Sequence, residues 1–361
     1  MTKVPLVTHI NVVGLELQVP QLSSLHHTQT QRNKLQKKNK KTEKKMAEAN
    51  AYAALTKAFS GLGVDESLFI STLGKWNRHQ RESYRVSTPG FFREDERHFQ
   101  RWDDQHILQL RQEFLRLKDA VVLYTMHPWE RDARLFKEAL LLKVPNHDVI
   151  IETACTRSSE DLLGARKAYH SLFEHSIEED IAHHVQSPER KLLVALVSSY
   201  RYEGPRVNDD LAKSEAKIFV NAIKNANKKK LIDEDDEIVR ILSTRSKLHL
   251  KAIYSHYKEI TGNFLDEDLE GDLTLKQVVQ CLCVPQAYFS KILIASLRLD
   301  VNESAKDSVT RVIVTRADDD DMKLIKKEFQ IKCGTTLPAK IEEVANGSYR
   351  DFLLTIISKS D

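Results

Sequence analysis

A short apolar segment ending in Thr-Arg recurs along this 361-residue chain and keeps phase with a second apolar segment that follows it. Ile151-Glu-Thr-Ala-Cys-Thr-Arg157-Ser158, Val239-Arg-Ile-Leu-Ser-Thr-Arg245-Ser246 and Val312-Ile-Val-Thr-Arg316-Ala317 share the ending, and Ile70-Ser-Thr-Leu-Gly-Lys-Trp76-Asn77 is a degenerate fourth. The following segments keep step: Leu192–Val197 begins 35 residues beyond Arg157, Val278–Leu282 is centred 35 beyond Arg245, and Phe352–Ile357 begins 36 beyond Arg316. Such phase-keeping implies stacked repeats, each burying an apolar face that it cannot cover alone. In the first copy Ala120–Met126 comes 44 residues after Trp76. That predicts an insertion around Ser87–Arg93, where Ser87-Thr88-Pro89-Gly90 supplies loop chemistry.

Within a copy the apolar spacing is helical. Ile238, Ile241, Leu242, then Leu248, Ala252, Ile253 and Tyr257 fall at three- and four-residue steps, as core-facing stripes do. Gly (11) and Pro (9) are sparse while Leu, Lys, Glu, Ala and Ile run throughout, so an all-α protein is predicted. Four cysteines without zinc-finger spacing exclude a disulfide framework and point to a reducing compartment. No apolar run approaches the ~20 residues that span a bilayer, and His9, Asn11 and Glu16 interrupt any signal-peptide core. Membrane contact is therefore expected to be peripheral.

Residues 1–45 hold 9 basic and 2 acidic side chains, which leaves the remainder near −4. The lysine-rich run from Lys34 to Lys45 lacks interleaved aromatics and reads as a disordered, solvated tail, without the features of a specific nucleic-acid binder. Met46-Ala-Glu-Ala reads equally as a start. The domain division predicted is a tail over 1–46 and repeats over 47–125, 126–207, 208–284 and 285–361.

One segment carries candidate chemistry: Phe59-Ser-Gly61-Leu-Gly63-Val-Asp65-Glu66, two glycines in a helix-to-helix turn. Turn formation alone explains much of it, since glycine ends helices and Asp65 is a good N-cap for a helix starting at Glu66. Glycine also lets backbone carbonyls approach a hard cation. Carbonyls of Phe59, Gly61 and Gly63 with one bidentate carboxylate would make a calcium cup, and Glu113, expected just ahead of the last helix of the repeat, is the candidate carboxylate.

The Gly61-Leu-Gly-Val-Asp-Glu66 turn, the distant Glu113, the four repeats and the Thr-Arg-Ser endings resemble the annexin family over Met46 to Asp361. His127-Pro-Trp-Glu-Arg-Asp-Ala133 and Tyr200-Arg-Tyr-Glu-Gly204 are similar to plant members. The resemblance implies a curved disc of four repeats, about five short helices each. It also implies calcium as cofactor, with anionic phospholipid membranes as the principal partner of a cytoplasmic protein. Calcium at Phe59, Gly61, Gly63 and Glu113 would bridge to lipid phosphate. F-actin is a further family partner, through an Ile-Arg-Ile motif approximated by Val239-Arg240-Ile241, which equally reads as a buried helix face; self-association on membranes is left open.

The other repeats depart from the family pattern. Leu141–Asp148 has no glycines and aligns a cap at His184; Asn225–Asp233 lacks the pair, though Asp268 is present; Ser296–Glu303 aligns with Val344. Only repeat 1 is expected to hold calcium. The acidic run Asp266–Asp272 imitates an EF-hand but has Gln277 at the twelfth position. The alternatives are a calcium-independent membrane or cytoskeletal adaptor, and an enzyme of peroxidase or nucleotide phosphatase type. Against the enzyme, Lys75 aligns where family peroxidase activity is linked to a histidine, and no phosphate loop or serine elbow is present, so no catalytic residue is named. Cys155 and Cys281 resemble the family's paired redox cysteines.

Overall fold

The computed structural model describes residues 23–58, 60–142, 145–198, 200–225, 236–317 and 321–359, with side chains for all but 23–34 and 44. The described elements begin with α1 (Ser23–Ala58), α2 (Glu66–Leu73), α3 (Arg78–Ser87), an antiparallel hairpin of β1 (Phe92–Glu94) and β2 (Gln100–Trp102), and α4 (Asp104–Thr125). The second repeat comprises α5 (Pro128–Leu141), α6 (His147–Thr156), α7 (Ser159–Phe173), α8 (Ile177–His184) and α9 (Arg190–Ser198). The third comprises α10 (Asp209–Asn225), α11 (Asp236–Thr244), α12 (Lys247–Thr261), α13 (Leu265–Asp268) and α14 (Leu273–Cys283). The fourth comprises α15 (Pro285–Ser296), α16 (Glu303–Arg316), α17 (Asp321–Cys333), α18 (Leu337–Val344) and α19 (Gly347–Ser358). None is long and apolar enough to cross a membrane among the described residues.

Residues 23–46 form the start of α1, in a stretch free of Gly and Pro and rich in the good helix formers Lys and Gln. Side chains 35–43 are all exposed, so the helix there has no buried stripe. By its contacts the chain divides into a unit ending at Thr56 and a second from Lys57 onward.

The recurring Thr-Arg-Ser has a physical reason in the second unit. The serine stops one helix and starts the next: Ser158 Oγ accepts from Asp161 N at the head of α7, and Ser246 Oγ from His249 N at the head of α12. The arginine just ahead reaches back to a buried acid on the first helix of its own repeat. Arg157 forks onto Asp132 of α5, which is 0% exposed, and Arg245 forks onto Glu215 of α10. In repeat 4 Phe289 stands at the matching place on α15, and Arg316 lies over its ring at 5.1 Å.

One continuous core runs through repeats 2 to 4, with Ile150, Phe136, Leu196, Phe219, Ile241, Val278, Phe289 and Ile313 essentially dry. Repeat 1 reaches it through Leu62 and Ala120. The predicted insertion is the β1–β2 hairpin, whose Phe92 and Trp102 rings lie 4.3 Å apart and join Tyr84 and Trp76 in a separate aromatic cluster. Leu248, expected in the core, is 46% exposed. The stripe had been carried across a helix break: Ile238–Leu242 belong to α11, and in α12 the buried face is Leu250, Ile253 and Tyr257.

Arg157→Leu is expected to cost about 3–5 kcal/mol, because Asp132 loses its forked partner inside the protein. Arg245→Leu should cost less, since His249 at 2.9 Å remains on Glu215. Urea unfolding midpoints of the two variants check the order.

Candidate functional site

The turn before α2 is built as its residues dictate at the helix end: Asp65 caps α2, its carboxylate accepting from Leu68 N at 2.9 Å. The glycines also serve a close contact within the chain. Leu62 N donates to Val344 O at 2.9 Å and Asn346 N to Leu62 O at 2.8 Å, so the repeat 1 loop is joined backbone to backbone with the α18–α19 junction of repeat 4. A Cβ at Gly61 would stand 2.7 Å from Val344 O; one at Gly63, whose φ is +74°, 2.8 Å from Tyr349 Cβ. Gly347, φ +54°, meets Val64 O from the other side. Close approach of two chain segments thus accounts for the glycines.

Glu113 is brought to this loop as expected, but not from ahead of a helix. It lies inside α4, which runs unbroken for 22 residues and includes the Ala120 segment as well. The carboxylate is 4% exposed, and Gly63 N donates to its Oε2 at 2.6 Å. Arg116, one turn on, gives Nε to Oε2 at 2.7 Å and Nη2 to Oε1 at 3.1 Å. Lys306 of α16 donates to Oε1 at 2.7 Å. Glu303 and Asp307 complete the cluster: Arg116 reaches them at 2.7 and 2.9 Å, and Lys306 reaches Glu303 at 2.9 Å.

Burial pushes Glu113 up, but Arg116, Lys306 and the Gly63 N–H more than reverse it and hold the carboxyl below its ordinary value near 4.5. For Lys306 burial favours the neutral amine, and the hydrogen bonds to Glu113 and Glu303 outweigh it, raising its pKa. Asp307 is raised, burial prevailing over Arg116. Arg116, Glu303 and Asp307 line one wall of a cavity of about 640 Å³, faced by Leu135, Ala139 and Val149.

Calcium takes six to eight oxygens at about 2.3–2.6 Å. Both oxygens of Glu113 are covered by N–H donors, three of them cationic contacts, and the Leu62 carbonyl is taken by Asn346. As arranged, the Glu113 carboxylate has no uncommitted oxygen to offer the ion, while Gly61 and Gly63 stand beside it and Phe59 lies outside the described residues. Among the described residues no group of three or more His, Cys, Asp or Glu forms a metal cage. Arg116 and Lys306 were missed by sequence reasoning. Arg116 was visible one helical turn after Glu113; Lys306, 193 residues away, had no local signal.

The other candidates are structural. Asp268 accepts from Tyr257 OH, Asp266 from Gln280, and Asp272 caps α14. His184 bonds Asp180 O. Most of the Asn225–Asp233 loop lies outside the described residues. Cys155 and Cys281 are buried, and burial pushes the Cys155 thiol up to about 11, leaving it protonated near neutral pH.

A family model described as Annexin matches residues 131–196 and 219–274. Annexin D4 of Arabidopsis thaliana is 52% identical over 85% of this chain and 98% of its own length. The chain belongs to the annexin family. Annexin Gh1 of Gossypium hirsutum is 40% identical over 84% of the chain and 92% of its own length. Solved annexins show the same fold: annexin III, 23% identical, has a TM-score of 0.61 over 87% of this chain and 94% of that one. A calcium-bound annexin (Sm)1 scores 0.57 over 86% and 90%. Annexins as a family bind calcium and anionic phospholipid membranes.

Gly63→Ala should destabilise this annexin by about 1–3 kcal/mol, through a strained backbone and a clash with Tyr349, read as a lower unfolding temperature. Glu113 binds protons less readily folded than unfolded, so its stabilisation is full above the unfolded value and fades as pH falls through the lower folded one. Wild type should therefore exceed Glu113→Gln in stability at pH 7, with the gap shrinking below about pH 4.5. Thermal melts across pH 3–7 check this.

Proposed function

We propose that this chain is a peripheral binder of anionic phospholipid surfaces, of annexin type, in which Glu113 fastens repeat 1 to repeat 4 instead of ligating calcium. Support for lipid binding comes from membership over nearly the whole folded part. Support for the role of Glu113 is the observation that Arg116 and Lys306 already neutralise it. Any calcium response then arises away from Glu113. The net charge near −4 from Met46 onward opposes an anionic leaflet, so adhesion depends on cations supplied from solution or on the basic segment before Met46.

A second reading, with Gly61, Gly63 and Glu113 as calcium ligands, draws on one observation: the fold brings Glu113 to Gly63 across 50 residues of sequence. In that reading Glu113 must first leave its internal cations. The proposal stops short of F-actin, because Val239 and Ile241 are buried and Arg240 is paired with Glu237 and Glu215. It likewise includes no enzymatic activity.

Co-sedimentation with phosphatidylserine-containing vesicles, in calcium or chelator, separates the readings. Wild type should pellet with phosphatidylserine and stay in solution with phosphatidylcholine alone. Glu113→Gln should pellet with an unchanged calcium response. A calcium response abolished in a folded Glu113→Gln variant would favour the second reading, and no pelleting at any calcium concentration would sink the lipid proposal.

A further inference from the structure

Lys306 bonds two carboxylates, Glu113 Oε1 at 2.7 Å and Glu303 Oε1 at 2.9 Å, with its side chain 12% exposed. Arg116 bonds both oxygens of Glu113, Oε2 at 2.7 Å and Oε1 at 3.1 Å, and also reaches Glu303 and Asp307. The two cations share Glu113 and Glu303 but come from different elements. Arg116 belongs to the same helix as Glu113 and shapes the carboxylate, whereas Lys306 arrives from another repeat and fills the space between two acids. Glu303 also borders the cavity.

We propose that Lys306 is an internal counter-cation that closes the first-repeat site against divalent metal, an autoinhibitory contact between repeats 4 and 1. Its ammonium occupies the position between Glu113 and Glu303 that a hard cation would contest. A tethered ammonium pays no translational entropy on arrival, so it is present at every calcium concentration, and a calcium ion must evict it before it can bind. The same contact fixes α16 against α4 while the loop pairing at Leu62 fixes the backbone beside it, so repeats 1 and 4 stay joined without metal. The inference rests on the assignment of Glu113 to fastening, and its test uses no lipid, so lipid binding can fail or succeed independently.

The full chain is titrated with calcium chloride alone by isothermal calorimetry, with melting temperatures recorded in calcium and in chelator. The proteins are wild type, Lys306→Met, Lys306→Gln, Lys306→Arg and the double variant Lys306→Met/Glu113→Gln. Lys306→Met and Lys306→Gln should gain a saturable isotherm at least roughly tenfold tighter than wild type, as expected when a like charge in contact is removed. Their melting temperatures should become calcium-dependent. Lys306→Arg, which keeps the charge, should titrate as wild type, and the double variant should lose the gained isotherm. The proposal is overturned if the two neutral variants fold and titrate as wild type, if neither folds even in calcium, or if wild type already shows an isotherm that Glu113→Gln removes.

Discussion

A carboxylate taken out of water has to be met by a cation or take up a proton, and four such carboxylates organise this fold. Asp132 and Glu215 are met by Arg157 and Arg245 of their own repeats. Glu152 of α6 is met by Arg311 and Glu113 of α4 by Lys306, both from α16. The first two pairs repeat because the repeat does; the other two exist once, and they determine that α16 lies against both α4 and α6. The pairs are not equivalent energetically. Arginine holds Glu215 below its ordinary pKa despite burial, whereas for Glu152 burial prevails over Arg311 and Tyr288 and pushes the pKa up. Glu152 is thus a costly group whose place is specified by the partners it requires.

What was legible in the sequence follows the range of the signal. Helical spacing, Asp65 as a cap and the phase of the Thr-Arg endings are local or periodic, and all appear in the structure. The use of those arginines is legible only in retrospect, since the acid lies 25 or 30 residues earlier on another helix. The Leu248 error came from running one periodicity through two helices, which Ser246 separates. The hairpin was seen as surplus length but not as strands, because Phe92 and Trp102 pair with each other instead of serving the helical core.

The candidate site shows why a motif read alone misleads. A glycine pair admits anything that must come close to a backbone, whether an ion or another piece of chain, and the sequence around Gly61 is the same in either case. The discriminating residues are Asn346, Tyr349 and Lys306, all in repeat 4. No pattern in repeat 1 points to them.

The unbroken course of α4 has a consequence for how such a chain can change. Where a turn separates two helices, a residue gained or lost is absorbed by the turn. Within a continuous helix each added residue rotates everything beyond it by roughly 100°. Glu113 and Ala120 sit two turns apart on one rod, one aimed at the Gly63 amide and the other sealed in the core. A single insertion between them would force a choice between these two contacts, so length in this stretch is held to an integer, while the surrounding loops are free to drift.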